Sequence, residues 1–188
     1  MTLGDRIVCM RDGFIMQVGT PTEVFDMPDN LFVAQFIGAP MMNTFNTKLI
    51  EEKGKYAVEF FGAKIPVDGD KGAELKARKV ESRDILLGVR PEHINLTKEA
   101  NKASIPVVIE VNEMMGSEYH LHVVTEDGTK IIVRIPTINL SEEERNSMVN
   151  GNKINLTFES KAMHFFDPVS EVNILAKGTP VASGKVEK

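Results

Sequence analysis

The chain has one cysteine, Cys9, no tryptophan and two tyrosines in 188 residues. A single thiol cannot build a disulfide framework, and no cysteine pair exists to start a zinc site. One free thiol is compatible with a reducing compartment. No apolar run approaches the roughly 18 residues that a membrane span needs. Residues 1–6 lack the basic stretch and apolar core of a secretory signal. A basic excess is missing too. The net charge is −5, which argues against a nucleic-acid binder. An oligonucleotide-binding barrel would also want stacking aromatics along a basic groove, and they are scarce here. The sequence contains no G-x-x-x-x-G-K-[ST] loop, no G-x-G-x-x-G and no G-x-S-x-G elbow. An NTPase needs backbone amides and a lysine around the phosphates, and neither arrangement is present. The expectation is a chain without a complete catalytic site, not an enzyme in this form, with no cofactor of its own.

What is present is ordinary globular composition, 42% hydrophobic and 26% charged. The first 38 residues are well punctuated. Apolar runs at 6–10 and 14–18 flank Asp12-Gly13, a hairpin signal. Thr20-Pro21-Thr22-Glu23 reads as a capping box opening a helix, with proline at its first position. That helix should stop near Pro28. A second short helix carries Leu31, Phe32 and Phe36 and ends at Gly38 and Pro40. The rest reads as strands. Segments 48–50 and 56–61 flank Lys53-Gly54. Residues 105–111, 119–123 and 131–135 alternate apolar and polar, as half-buried strands do. Asp127-Gly128 is the turn between the last two, and 154–158 adds another strand. One helix interrupts the series, with Ser141 and Glu144 as its capping box. The predicted fold is mostly β. Five or six short strands should form a closed or nearly closed OB-type barrel. Residues 68–84, dense in mixed charge, read as a surface loop, and 179–188 as a frayed tail.

Three features invite a chemical reading. Glu118, His120 and His122 are spaced by two, so on a strand they share one face. That suits the first ligands of a divalent metal, or simply the solvated face of a strand that buries Leu121 and Val123. Met41-Met42 and Met114-Met115 read as packing fillers, and Cys9 as inert core. Gly88-Val89-Arg90-Pro91-Glu92-His93 turns out of a strand with charge at a corner that proline makes rigid.

The order of these pieces carries a resemblance. Residues 2–8, Met10-Arg11-Asp12-Gly13, Gln17-Val18-Gly19-Thr20-Pro21, Glu23-Val24-Phe25 and 30–38 resemble the closing segment of an ABC transporter ATP-binding subunit. Residues 36–43 look like the junction into its C-terminal regulatory domain, and 88–93 like that domain's signature turn. Gly116-Ser117-Glu118 and His164-Phe165-Phe166-Asp167 fit its later strands, a transport-associated OB-type (TOBE) fold. The junction and the turn look most like the sugar-import branch, which serves maltose, multiple-sugar and glycerol-3-phosphate importers. Polyamine, sulfate and iron importers share the architecture.

The resemblance implies a remnant of the ATPase domain over 1–40, a regulatory domain over 41–178 and a tail over 179–188. It implies a fragment or truncated product whose ATP- and Mg-binding machinery lies upstream in the parent. It implies a homodimer formed through the barrel, with Gly88, Arg90, Pro91, Glu92 and His93 as the regulatory or dimer turn. Arg90 would bond either Glu92 or a neighbouring strand. Permease subunits, and a regulatory protein or metabolite, are the implied partners. The implied location is the cytoplasmic face of the membrane. Another class stays open, a small oxyanion-binding TOBE-like protein.

Overall fold

The computed structural model describes residues 4–97 and 103–177. The chain opens with β1 (Ile7–Arg11) and β2 (Phe14–Gly19), paired antiparallel across Asp12-Gly13. Both turn residues adopt positive φ, as a tight primed turn requires. Next comes α1 (Pro21–Asp26). The Thr20 hydroxyl accepts from the Glu23 N–H at 3.2 Å, and the Glu23 carboxylate accepts from the Thr20 N–H at 2.9 Å. Asn30 caps α2 (Leu31–Phe36). These four elements enclose a small core of Cys9, Val24, Val33 and Ile37. Burial pushes the Cys9 thiol pKa up, which keeps it protonated and inert.

The remaining strands are β3 (Asn43–Glu52), β4 (Lys55–Phe60), β5 (Ala63–Val67), β6 (Arg83–Val89), β7 (Asn95–Thr97), β8 (Ile105–Met114), β9 (Glu118–Val124), β10 (Lys130–Pro136), β11 (Lys153–Thr157) and β12 (Met163–Phe166). They form two five-stranded sheets, ordered β12-β6-β3-β4-β5 and β10-β9-β8-β11-β7. Every pairing is antiparallel. The expected mostly-β, OB-type architecture is present, but with more strands than one five- or six-stranded sheet. The sheets share one core. Leu49, Val58, Ile85 and Leu87 meet Ile109, Leu121, Val133 and Leu156 in a single apolar cluster.

The mixed-charge stretch is the main departure. Residues 68–84 are not a loop: α3 (Gly69–Ala77) occupies most of them, and β6 begins at Arg83. The helix buries one large apolar side chain, Leu75. That is too little for a periodicity signal, which needs several apolar residues on one face. Its stability comes from tertiary bonds instead. The Tyr56 hydroxyl lies 3.2 Å from the Leu75 carbonyl and 2.8 Å from that of Val80. A further helix, α4 (Glu142–Ser147), carries the capping box expected of Ser141 and Glu144.

Other expectations need correction. Met42 is buried, but Met41, Met114 and Met115 are exposed and fill no core. Leu31 packs on the barrel with Ala34, Met42 and Phe166. Phe36, on the same helix, is 68% exposed. The expected tail at 179–188 lies outside the described residues.

Asn43 ties the two sheets together. Its Nδ2 donates to the Ile132 carbonyl at 2.8 Å, and its Oδ1 accepts from the Ile132 N–H at 2.8 Å. The same Nδ2 lies 3.3 Å from the Val89 carbonyl. Because β10 is an edge strand, this amide takes the place of a neighbouring strand. Asn43→Ala is therefore expected to lower unfolding free energy by about 1–3 kcal/mol, the range for orphaned polar groups. Urea unfolding measures the loss, and the Ile132 amide should exchange faster while the β3–β6 amides stay protected.

Candidate functional site

The turn singled out in the sequence leaves the first sheet at the centre of the molecule. Gly88 lies in β6, paired with Thr44 on one side and His164 on the other. A Cβ there would stand 2.5 Å from Met42 Sδ and 2.9 Å from Phe166 Cε2, so only glycine lets these side chains close over the strand. Pro91, Glu92 and His93 form a single 3₁₀ turn, closed by the His93 N–H on the Arg90 carbonyl at 3.0 Å. The chain then passes to β7 and the second sheet.

Arg90 is 1% exposed. It makes no ion pair with Glu92 among the described residues, and it does not bond a neighbouring strand. Its guanidinium runs back to the N-terminal segment, donating from Nη1 to the Ile37 carbonyl and from Nη2 to the Phe25 carbonyl, each at 2.6 Å. Its carbon sits 3.7 Å from the centre of the Phe25 ring. A desolvated cation on an aromatic face contributes about 2 kcal/mol. Burial lowers the Arg90 pKa, opposed by the nearby Glu92 and Asp26 charges, and the group stays a cation. Gly38 makes room for it. That residue has φ of +123°, and a Cβ there would lie 2.9 Å from Nη1. The signature turn is thus the point where the hairpin-and-helix unit is bolted to the barrel.

A second set of bonds fastens the same unit from the other side. Asn173 donates from Nδ2 to the Pro28 carbonyl at 2.7 Å and from its backbone to the Asp29 carbonyl at 2.8 Å. The Leu31 N–H donates to the Glu171 carbonyl at 2.9 Å. Arg78, at the end of α3, holds this C-terminal segment through the carbonyls of Ile174, Leu175 and Ala176 at 3.0–3.1 Å.

His164, 6% exposed, stacks on Phe166 beneath this joint. Desolvation first, then the charges of Lys71, Arg90 and His93, hold its imidazole well below the usual histidine pKa. Lys71 donates to the Met163 carbonyl. Its burial lowers its pKa to about 8, against the opposing pull of Glu74 and Asp26.

The metal candidates lie elsewhere, on β9. Glu118 is fully engaged: Oε2 accepts from Arg134 Nε at 2.6 Å, and Oε1 meets His120 Nε2 at 2.9 Å. His120 and Arg134 lower its pKa. His122 stands 3.5 Å from a Glu113 oxygen. Arg134 brings a fixed positive charge to the place a cation would occupy. Among the described residues, no group of three or more His, Cys, Asp or Glu is arranged to hold a metal ion. Glu118, His120 and His122 share one face of β9, where Glu118 bonds both His120 and Arg134.

Comparison with known proteins locates the chain. The MalK OB fold domain family matches residues 38–94, and the TOBE domain family matches residues 87–166. The two meet over the Arg90 turn. The osmoprotective compounds uptake ATP-binding protein GgtA of Synechocystis is 31% identical over 93% of this chain and 46% of its own length. The oligosaccharides import ATP-binding protein MsmX of Bacillus subtilis is 32% identical over 93% and 46%. The sn-glycerol-3-phosphate import ATP-binding protein UgpC of Burkholderia ambifaria is 32% identical over 89% and 43%. The chain therefore spans less than half the length of these relatives. A solved structure of the cytoplasmic molybdate-binding protein ModG overlaps at TM-score 0.47 with 10% identity, covering 64% of this chain and 92% of that one.

Two outcomes follow from the geometry. Arg90→Ala strips two carbonyls and a ring of their partner, so hydrogen exchange should quicken over residues 20–38 while β6, β8 and β10 remain slow. Uniform quickening would show Arg90 to be ordinary core. The second outcome concerns pH. His164 stays neutral in the fold, yet in the unfolded chain it titrates near pH 6.5. Below that pH the unfolded state binds a proton that the folded state refuses, so stability falls as pH drops. Urea midpoints should decline from pH 6.5 to about 5, above the carboxylate range. His164→Gln should flatten that decline.

Proposed function

Because the chain belongs to the OB-fold and TOBE region of the ABC transporter ATP-binding proteins, we propose that it is the regulatory part of a carbohydrate importer's ATP-binding subunit. The observation that carries the proposal is an uncovered apolar face held on a rigid mount. In the β1–β2 ribbon, Val8 stands opposite Val18 and Met10 opposite Ile15. All four are exposed, as is Phe14 at 74%. The opposite face, with Cys9 and Gln17, is buried. A contiguous exposed apolar patch of this kind marks a surface that packs on another body. The complementary surface is the ATPase domain that the extra length of the relatives supplies, and Arg90 fixes its angle to the barrel.

In this reading ATP and Mg are held by the parent's ATPase domain, and the present chain is the non-catalytic part. The parent sits against the cytoplasmic face of the membrane on its permease subunits. Among the described residues, no helix is long and apolar enough to cross a membrane. Two copies pair through the barrel, keeping the ATPase halves at high effective concentration while they open and close. The relatives favour sugars and related osmolytes as cargo over polyamine, sulfate or iron. Arg90 is spent inside its own chain, so the dimer surface must use other residues, and the turn shapes that surface from beneath.

The test is a chimera in which this chain replaces the corresponding C-terminal part of the Bacillus subtilis oligosaccharide importer subunit. It should hydrolyse ATP and support uptake, and Arg90→Ala in the chimera should lower uptake more than hydrolysis. A folded, ATP-hydrolysing chimera that never supports uptake would sink the proposal. The chain by itself should give no saturable heat with MgATP. Sedimentation at about 10–100 µM, a range bracketing weak interfaces, should show a two-fold dimer.

A further inference from the structure

Lys71 is the third residue of α3 and lines a cleft of about 260 Å³ between that helix, α1 and β12. Its side chain is half-buried, and its Nζ donates to the Met163 carbonyl. Among the described residues, no carboxylate stands within ion-pairing distance of that nitrogen. Glu74, one turn along the helix, is engaged by Arg78 at 2.7 Å. Glu23, Asp26 and Asp29 border the cleft from the side of α1, Lys177 from the C-terminal segment and His164 from β12. Glu74 and Asp26 favour the ammonium, but loss of water outweighs them and lowers the Lys71 pKa to about 8. The place in the helix acts in the same direction, since the first turn is the positive end of the helix.

An ammonium has no lone pair to give, so the reactivity of a lysine follows its neutral fraction. At pH 7 an amine that titrates at about 8 is neutral in about one molecule in ten, and an ordinary lysine in about one in 2,500. A weaker base is also a weaker nucleophile, and a slope of about 0.5, like that of thiols, removes about tenfold of this gain. A lead of about tenfold remains. The cleft is smaller than the usual ligand site of about 300–1,000 Å³, so it suits a small reagent. We propose that Lys71 is a modification site, acylated by small acyl phosphates in preference to the exposed lysines of the chain. The neutral Nζ attacks the carbonyl carbon and a C–N bond forms. The C–O bond to phosphate breaks, and phosphate leaves with the electron pair. The proton shed by nitrogen passes to water or to the departing phosphate. The product is an uncharged amide that keeps one N–H for the Met163 carbonyl. The positive charge between Asp26 and His164 is then gone, which places the mark at the joint between the N-terminal unit and the barrel. Nothing in this chemistry depends on the transporter reading.

The test incubates the full chain with acetyl phosphate at about pH 6.5 to 10.5, a span that reaches the ordinary lysine range. Peptide mass spectrometry then reads the acetylation rate at each lysine. At pH 7, Lys71 should acetylate about tenfold faster than exposed lysines such as Lys53 and Lys55. Its rate should reach half of its plateau at about pH 8 and level off above that. In concentrated urea the lead should vanish, because the fold creates it. A Lys71 rate no greater than those of Lys53 and Lys55 would overturn the proposal. So would a rate that climbs through about pH 10 without levelling, as for an ordinary lysine. A lead that survives in urea would assign the reactivity to local sequence and overturn it as well.

Discussion

A guanidinium buried to 1% exposure sets the geometry of this molecule. Taking a charged group out of water is expensive unless its hydrogens are bonded. Arg90 is accommodated by two short bonds to main-chain carbonyls and by the Phe25 ring on its face. Lysine could not replace it, because a point charge cannot hold two diverging carbonyls and stack flat on a ring. Several other choices follow from this one. Gly38 leaves space for Nη1, Pro91 directs the chain away behind it, and Gly88 lets Met42 and Phe166 close beside it.

The joint is closed by main-chain bonds on its far side. Arg78 grips the carbonyls of residues 174–176, Asn173 grips Pro28 and Asp29, and Leu31 bonds Glu171. A path of hydrogen bonds therefore runs from α3 through the C-terminal segment to the start of α2. It explains why a hairpin and two six-residue helices, too small to fold alone, hold a definite position on the barrel. It also anchors α3: a helix with one large buried side chain, Leu75, is held at its end by the bonds of Arg78 to this segment.

Local chemistry was legible in the sequence, and non-local chemistry was not. Asp12-Gly13, Thr20 with Glu23, and Ser141 with Glu144 announced a turn and two helix starts, since each device is complete within four residues. The importance of the Arg90 turn was legible as well. Its partners were not, because backbone carbonyls at Phe25 and Ile37 carry no side-chain signature. Glu118, His120 and His122 do share a face, but the residue that decides their role is Arg134, which pairs with His120 across the hairpin. The division of the strands into two sheets was hidden in the same way, although four strands of the second were read from their alternation. β7 has three residues, too few to count, and in β5 Ala63, Ile65 and Val67 do alternate inward, but Pro66 on the exposed face breaks the strand signal. Asn43 gave no sign that its amide would stand in for a strand, a role visible only once β10 lies beside it.

The contact between the N-terminal unit and the barrel is uneven in stiffness. Arg90 on one side, and Asn173 and Leu31 on the other, make short bonds to main-chain atoms, which cannot move without moving the fold. Asp26, exposed at the end of α1, stands unbonded across open space from Lys71 and His164. Opposite charges held apart across an open gap attract weakly and are screened by water. The angle of the unit is therefore set by the main-chain bonds at two edges of the joint and not by charge at Asp26.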